Sequence, residues 1–205
     1  MNTIFLVILV LLLASGLFDV IAWKFNVIAI VAAFVVWIIL LYNGFITLRN
    51  RVKEALSDID VQLKRRYELI PNLVETVKGY MRHEEKVLTG VTEARSRVAS
   101  SGGTPIEREG AENALSNTLK TLFAVAEGYP DLKANANFLD LQRELADTEN
   151  KIQASRRFYN TTVRDLNIKI HSFPSNLIAS VFNFHEEKFF EVSDSVERDP
   201  VKVKF

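Results

Sequence analysis

The chain has 205 residues, with 25 basic and 25 acidic side chains and no cysteine. Balanced charge gives no long-range field to draw in nucleic acid, and no RNA- or DNA-binding motif is present. The lack of cysteine excludes disulfides, thiolate chemistry and cysteine-based zinc sites, and the eight glycines and five prolines favour long helices over strands and turns.

Two apolar runs open the chain, Ile4–Phe18 and Val27–Leu41, parted by Asp19, Lys24 and Asn26. A spanning helix needs about 20 mostly apolar residues. One straight helix over 4–41 would be about 57 Å long, too long for a single span. The reading is a membrane anchor over residues 1–46. It has one span at about 27–43 and, at about 4–23, a second span or another membrane-embedded segment. A cleaved leader is the alternative for the first run: Ala14-Ser15-Gly16 offers small residues, but no basic residue precedes the run. Arg49, Arg51 and Lys53 follow the second run, then Lys64, Arg65 and Arg66, against Lys24 alone between the runs. The positive-inside rule then places the soluble domain in the cytoplasm. Arg49, Arg51 and Lys53 have a second reading, as contacts to anionic lipid headgroups.

Residues 47–192 read as one helical domain. From Arg49 to about Ser100, apolar residues including Leu56, Ile59, Leu63, Ile70, Val74 and Val77 recur at three- and four-residue steps, giving one long helix or two stacked ones. Pro71 sits inside the pattern and should kink or restart the helix, with Asn72 placed to meet the freed carbonyls. After Ser100-Ser101-Gly102-Gly103, Thr104-Pro105-Ile106-Glu107 matches a capping box. The helix it starts carries Leu115, Leu119, Leu122 and Ala126 and stops near Gly128-Tyr129-Pro130.

The next helix should span roughly 131–172, with a seam at Phe138, Leu141, Leu145, Thr148, Ile152, Ser155, Tyr159, Thr162 and Leu166. Its steps alternate three and four, the heptad spacing of coiled coils. Phe173-Pro174 ends it. A phenylalanine-rich helix is expected from Asn176 to about Val192, its rings serving either the core or a membrane or intermolecular contact. The tail from Ser193 to Phe205 has no apolar period and reads as disordered.

Candidates for chemistry are few. His83, His171 and His185 fall on different elements, and a His-Glu-Glu run cannot grip one ion, because neighbours on a helix point about 100° apart. They read as surface residues, and no metal or cofactor is expected. There is no phosphate-cradling glycine loop and no nucleophile elbow. Gln62, Asn72, Glu75, Glu149, Asn150 and Asn160 lie near helix seams, where a polar side chain fixes register.

The block Ile59–Arg66 followed by Leu69-Ile70-Pro71-Asn72-Leu73-Val74-Glu75 resembles the signature of the bacterial LemA family. Tyr42-Asn43 with Leu48-Arg49-Asn50, Ala126-Glu127 with Tyr129–Asn135, Phe138 to Asn160, and Phe173-Pro174-Ser175-Asn176 match its other blocks in order, over about residues 40–191. The resemblance implies an all-α fold, a long-helix antiparallel bundle behind an N-terminal transmembrane anchor. It implies no enzyme activity, and a link to membrane organisation, including magnetosome formation, often beside membrane proteases. The family usually has one N-terminal span, so the extra run at 4–18 departs from it.

Helix lengths suggest assembly. Residues 49–100 and 131–172 would reach about 78 and 63 Å as helices, against about 35 and 25 Å for the other two. That leaves a stripe at Leu56, Ile59, Gln62 and Leu63 uncovered, a surface for a high-order homo-oligomer in the membrane plane. The functional expectation is a membrane-anchored scaffold that self-assembles and organises or remodels the membrane. The alternative is an adaptor for a membrane protease or signalling protein.

Overall fold

A computed structural model describes residues 22–191. The expected second span at 4–23 lies almost wholly outside the described residues, and the expected disordered tail lies entirely outside them. Among the described residues 81% are helical and none is in a strand, so the fold is all-α. The helices are α1 Ala22–Lys78, α2 Glu85–Ser100, α3 Glu109–Ala126, α4 Pro130–Lys133, α5 Ala136–His171 and α6 Ser175–Val181. The chain divides into two compact units. Unit one holds α1 up to Arg51 together with 164–187; unit two holds 52–163 and the chain from Lys188. The boundary expected at residue 46 therefore falls inside unit one.

Unit two is built on periodic apolar stripes. On α1, Val52, Ala55, Ile59, Leu63, Ile70, Leu73 and Val77 are buried at three- and four-residue steps. Ile70, Leu73 and Val77 share a core with Val91, Ala94 and Val98 of α2, Leu115, Leu119, Leu122 and Ala126 of α3, Leu132 of α4, and Phe138 and Leu145 of α5. On α5 the expected seam is buried at Phe138, Leu145, Thr148, Ile152, Tyr159, Thr162 and Leu166, and half-buried at Leu141 and Ser155. Asn135 starts this helix: its side-chain oxygen accepts the Phe138 N–H at 3.0 Å, the bond of an N-cap. The capping box also forms, with the Thr104 N–H donating to Glu107 at 2.7 Å and the Glu107 N–H to Thr104 Oγ at 3.4 Å. It lies one turn before α3 proper.

Helix α1 runs through Pro71 without a restart. Proline removes the N–H that would bond the carbonyl four residues earlier, that of Tyr67. Asn72 does not fill that role; it is exposed. Instead Arg95 of α2 donates Nε to the Tyr67 carbonyl at 3.3 Å and lays its guanidinium 3.8 Å from the Tyr67 ring centroid. Helix α2 thus satisfies the acceptor that Pro71 freed.

Unit one pairs α1 with the end of α5 and with α6. Phe45 is fully buried and stacks on Phe184 at 4.7 Å. The expected helix over 176–192 stops at Val181. Asn183 takes a left-handed φ of 54°, a conformation asparagine tolerates better than most residues. The Phe184 N–H then bonds the Ala179 carbonyl at 2.9 Å and the Asn183 N–H that of Ser180 at 3.4 Å, the two bonds of a Schellman cap. Residues 184–191 continue without regular structure.

Candidate functional site

Each unit offers one candidate. In unit two it begins with the stripe that buries the face of α1. Arg66 lies three residues after Leu63 and four before Ile70, so the helix period carries it inward, and it is 1% exposed. Helix α3 brings Glu112 and Ser116 to it, and α5 brings Glu149. Arg66 Nη2 donates to Glu112 Oε2 at 2.5 Å, and Nη1 to Glu149 Oε2 at 2.8 Å and to Ser116 Oγ at 2.5 Å. Three helices are thus joined by one guanidinium. A buried charge survives only when it is paired and hydrogen-bonded, so these partners are a condition of the packing.

Burial alone would raise the Glu149 carboxyl. The Arg66 charge and hydrogen bonds from Gln153, Arg66 and Ser116 outweigh burial and hold it below the ordinary glutamate value. Ser116 Oγ donates to Glu149 at 3.3 Å, but a carboxylate so stabilised is a weakened base for activating a hydroxyl. The arrangement suits helix registration better than proton transfer.

Beside this network an open groove of about 1130 Å³ runs along α3 and α5, lined by Asn113, Asn117 and Lys120 on one side and Gln153, Arg156 and Arg157 on the other. Arg156 donates to Asn113 at 3.1 Å and lies 5.2 Å from the Phe190 ring centroid; burial lowers its pKa. Burial raises the Glu109 carboxyl at the same groove. At the groove's end the Asn160 side chain clamps the backbone of Phe190, accepting its N–H at 2.9 Å and donating to its carbonyl at 3.0 Å.

In unit one the candidate is the apolar half of α1. Trp23–Leu40 belongs to the one described helix long and apolar enough to cross a membrane. Phe25 is 73% exposed and Ile28 65%. A helix apolar all round needs an apolar surrounding. Two residues past this stretch, Tyr42 packs on Phe182 at 4.9 Å, and Lys169 Nζ lies 4.6 Å from the Phe45 ring centroid.

The proposed assembly stripe is corrected by the structure. Ile59 and Leu63 are buried and Leu56 and Gln62 half-buried. The loop 103–108 lies beside Leu56 and Val61, with Pro105 buried and Arg108 paired to Asp60. Ile59 and Leu63 lie on the same face of α1 as Arg66, which α3 and α5 meet. Arg49, Arg51 and Lys53 are exposed; Arg49 lies 5.6 Å from the Phe184 ring centroid. The three histidines are exposed, and His171 pairs with Glu186 at 2.8 Å. Among the described residues no three ligating side chains gather as a metal site. Of the polar seam candidates, Asn72, Glu75 and Asn150 are on the surface, while Gln62, Glu149 and Asn160 are half-buried.

Sequence reasoning missed Arg66. Its signal was the step pattern Ile59, Leu63, Arg66, Ile70, Leu73, Val77, in which the arginine occupies an apolar slot.

The LemA family profile matches residues 55–205, so the exit segment at Tyr42-Asn43 and Leu48-Arg49-Asn50 precedes the matched span. "Protein LemA" of Metamycoplasma hominis is 28% identical over 153 residues, covering 73% of this chain and 68% of that protein. "Magnetosome protein MamQ 2" of Paramagnetospirillum magneticum is 24% identical over 186 residues, covering 78% and 68%. "Magnetosome protein MamQ" of Magnetospirillum gryphiswaldense is 23% identical over 183 residues, covering 77% and 67%. With the profile spanning most of the chain and its helices laid out in the order the motifs require, the chain belongs to the LemA family.

Proposed function

We propose that the protein is a non-catalytic, membrane-anchored helical scaffold that self-assembles and organises the bacterial inner membrane. The observation that carries the anchor is α1 itself: one uninterrupted helix holds both the exposed apolar stretch Trp23–Leu40 and the buried stripe of the bundle. About 27 Å of rise over those 18 residues approaches the roughly 30 Å hydrocarbon core of a bilayer. Two relatives whose names place them at magnetosomes support a role in organising membranes. The absence of enzymatic chemistry is supported by the use of Arg66, Glu112 and Glu149 to join helices.

The bundle faces the cytoplasm in this reading. Arg49, Arg51 and Lys53 follow the apolar stretch by 9 to 13 residues and are exposed, as the positive-inside rule requires. Arg66 does not join them, since its charge is met inside the bundle. Arg49, Arg51 and Lys53 are placed to meet anionic headgroups. A reporter fused after Phe205 should behave as cytoplasmic, and a periplasmic signal rejects the orientation.

The open groove along α3 and α5 favours a second reading, an adaptor that docks a membrane protease or other membrane protein. Particle size after gentle extraction separates the two. A large homogeneous assembly of the chain alone supports the scaffold; a monomer or dimer bringing another membrane protein with it supports the adaptor.

A further inference from the structure

The geometry points to a second membrane contact, made by the turn between α5 and α6 and the outer face of α6. This contact rests on the anchor reading and adds to it a lipid-facing element distant in sequence. The run Ser172–Phe184 contains no charged residue, in a chain that is 24% Asp, Glu, Lys and Arg. Helix α6 buries Ser175, Ile178 and Ala179 on its inner face. Its other face is apolar and open: Phe173 is 80% exposed, Leu177 57% and Val181 73%. Leu177 and Val181 stand one turn apart on α6 and share one face, and Phe173 lies in the turn just before the helix.

A cluster of large exposed apolar side chains marks an interaction surface, and two observations identify lipid as its occupant. First, Phe182, which follows directly on Val181, packs against Tyr42. Tyr42 lies two residues, or about 3 Å of helix rise, beyond the exposed apolar stretch that ends at Leu40. The patch therefore adjoins the point where α1 leaves the hydrocarbon, the level that tyrosine and tryptophan favour in membrane proteins. Second, the cations beside the patch suit a headgroup layer. Lys169 and Arg49 both lie in unit one, against Phe45 and Phe184 respectively, and Arg49 is exposed. An uncharged apolar tip with cations behind it is the pattern of an interfacial wedge.

The natural chain has no cysteine, so single-cysteine variants of the full chain carry one label each. Phe34→Cys, Leu177→Cys, Val181→Cys and Thr89→Cys are labelled with a polarity-sensitive fluorophore. The proteins are reconstituted in vesicles of phosphatidylcholine with a minority of phosphatidylglycerol, with and without lipid bearing a chain-attached quencher. Lipid quenching several-fold stronger at Leu177 and Val181 than at Thr89 is expected, together with strong quenching at Phe34. Quenching at Phe34 alone, with Leu177 and Val181 as wet as Thr89, overturns the second contact and leaves the anchor standing. Labels at Leu177 and Val181 shielded from both water and lipid mean that protein covers the patch, which also overturns it. Loss of lipid quenching at Phe34 overturns the anchor reading and this inference with it.

Discussion

Trp23–Leu40 and Val52–Val77 are stretches of one helix, yet they handle apolar side chains in opposite ways. In the first, apolar residues occur on every side and most are exposed. In the second a stripe of them recurs at three- and four-residue steps and is buried, while Val61 on the other side is exposed, and one slot of that stripe holds an arginine. The difference lies in the surroundings each stretch is built for. Lipid surrounds a helix on all sides and asks for uniform apolarity; a bundle contacts one face and asks for a stripe. A stripe can also hold a charge, because neighbouring helices can bring partners to it, whereas a lipid-facing position cannot. Arg66 with Glu112 and Glu149 is possible only in the second stretch.

Removing the charge from the stripe should give the largest effect. Arg66→Ala leaves Glu112 buried without its partner, and breaking such a pair costs about 3–5 kcal/mol. Denaturant unfolding in mild detergent measures it, and a loss below about 1 kcal/mol would mean that the network is dispensable. Truncation of the α5 seam comes next. Ile152→Ala should cost about 2–5 kcal/mol through the cavity it leaves, whereas Val31→Ala, on the exposed stretch, should leave bundle unfolding unchanged. Equal costs at the two positions would erase the distinction between the stretches.

A smaller effect follows pH. Glu149 is held below its ordinary pKa, so its ionised form stabilises the fold above the usual glutamate range. That contribution is lost as pH falls through the range and on through the lowered folded value, roughly from pH 5 downward. Glu149→Gln should flatten the acid limb of the stability curve, as read from unfolding midpoints over that window. The smallest effect is at the start of α5, where Asn135→Ala should cost about 1 kcal/mol as a lost N-cap.

Where burial follows a regular period, the sequence was legible. The α5 seam and the α3 stripe appear at the expected residues, because each buries one face of a regular helix. The chain after Val181 was not legible, because phenylalanines at close spacing read as a helix face. A left-handed Asn183 and side-chain clamps decide otherwise: Asn160 holds the Phe190 backbone, and Asn167 holds that of Glu187 at 3.1 and 3.0 Å. Asparagine offers a donor and an acceptor on one amide, and so can replace a strand neighbour for one residue. That role needs a partner about 20 to 30 residues away, which no local pattern reveals. The stripe at Ile59 and Leu63 is not an open surface: both are buried on the face of α1 that carries Arg66, which α3 and α5 meet.

The most direct test of the contrast within α1 uses a lipid-soluble photoreactive probe on the full chain in vesicles, followed by peptide mapping. The account predicts labelling concentrated between Trp23 and Leu40, with none between Val52 and Val77. Labelling of both stretches alike, or reaction of Trp23–Leu40 with a water-soluble reagent in place of the lipid-soluble one, would contradict it.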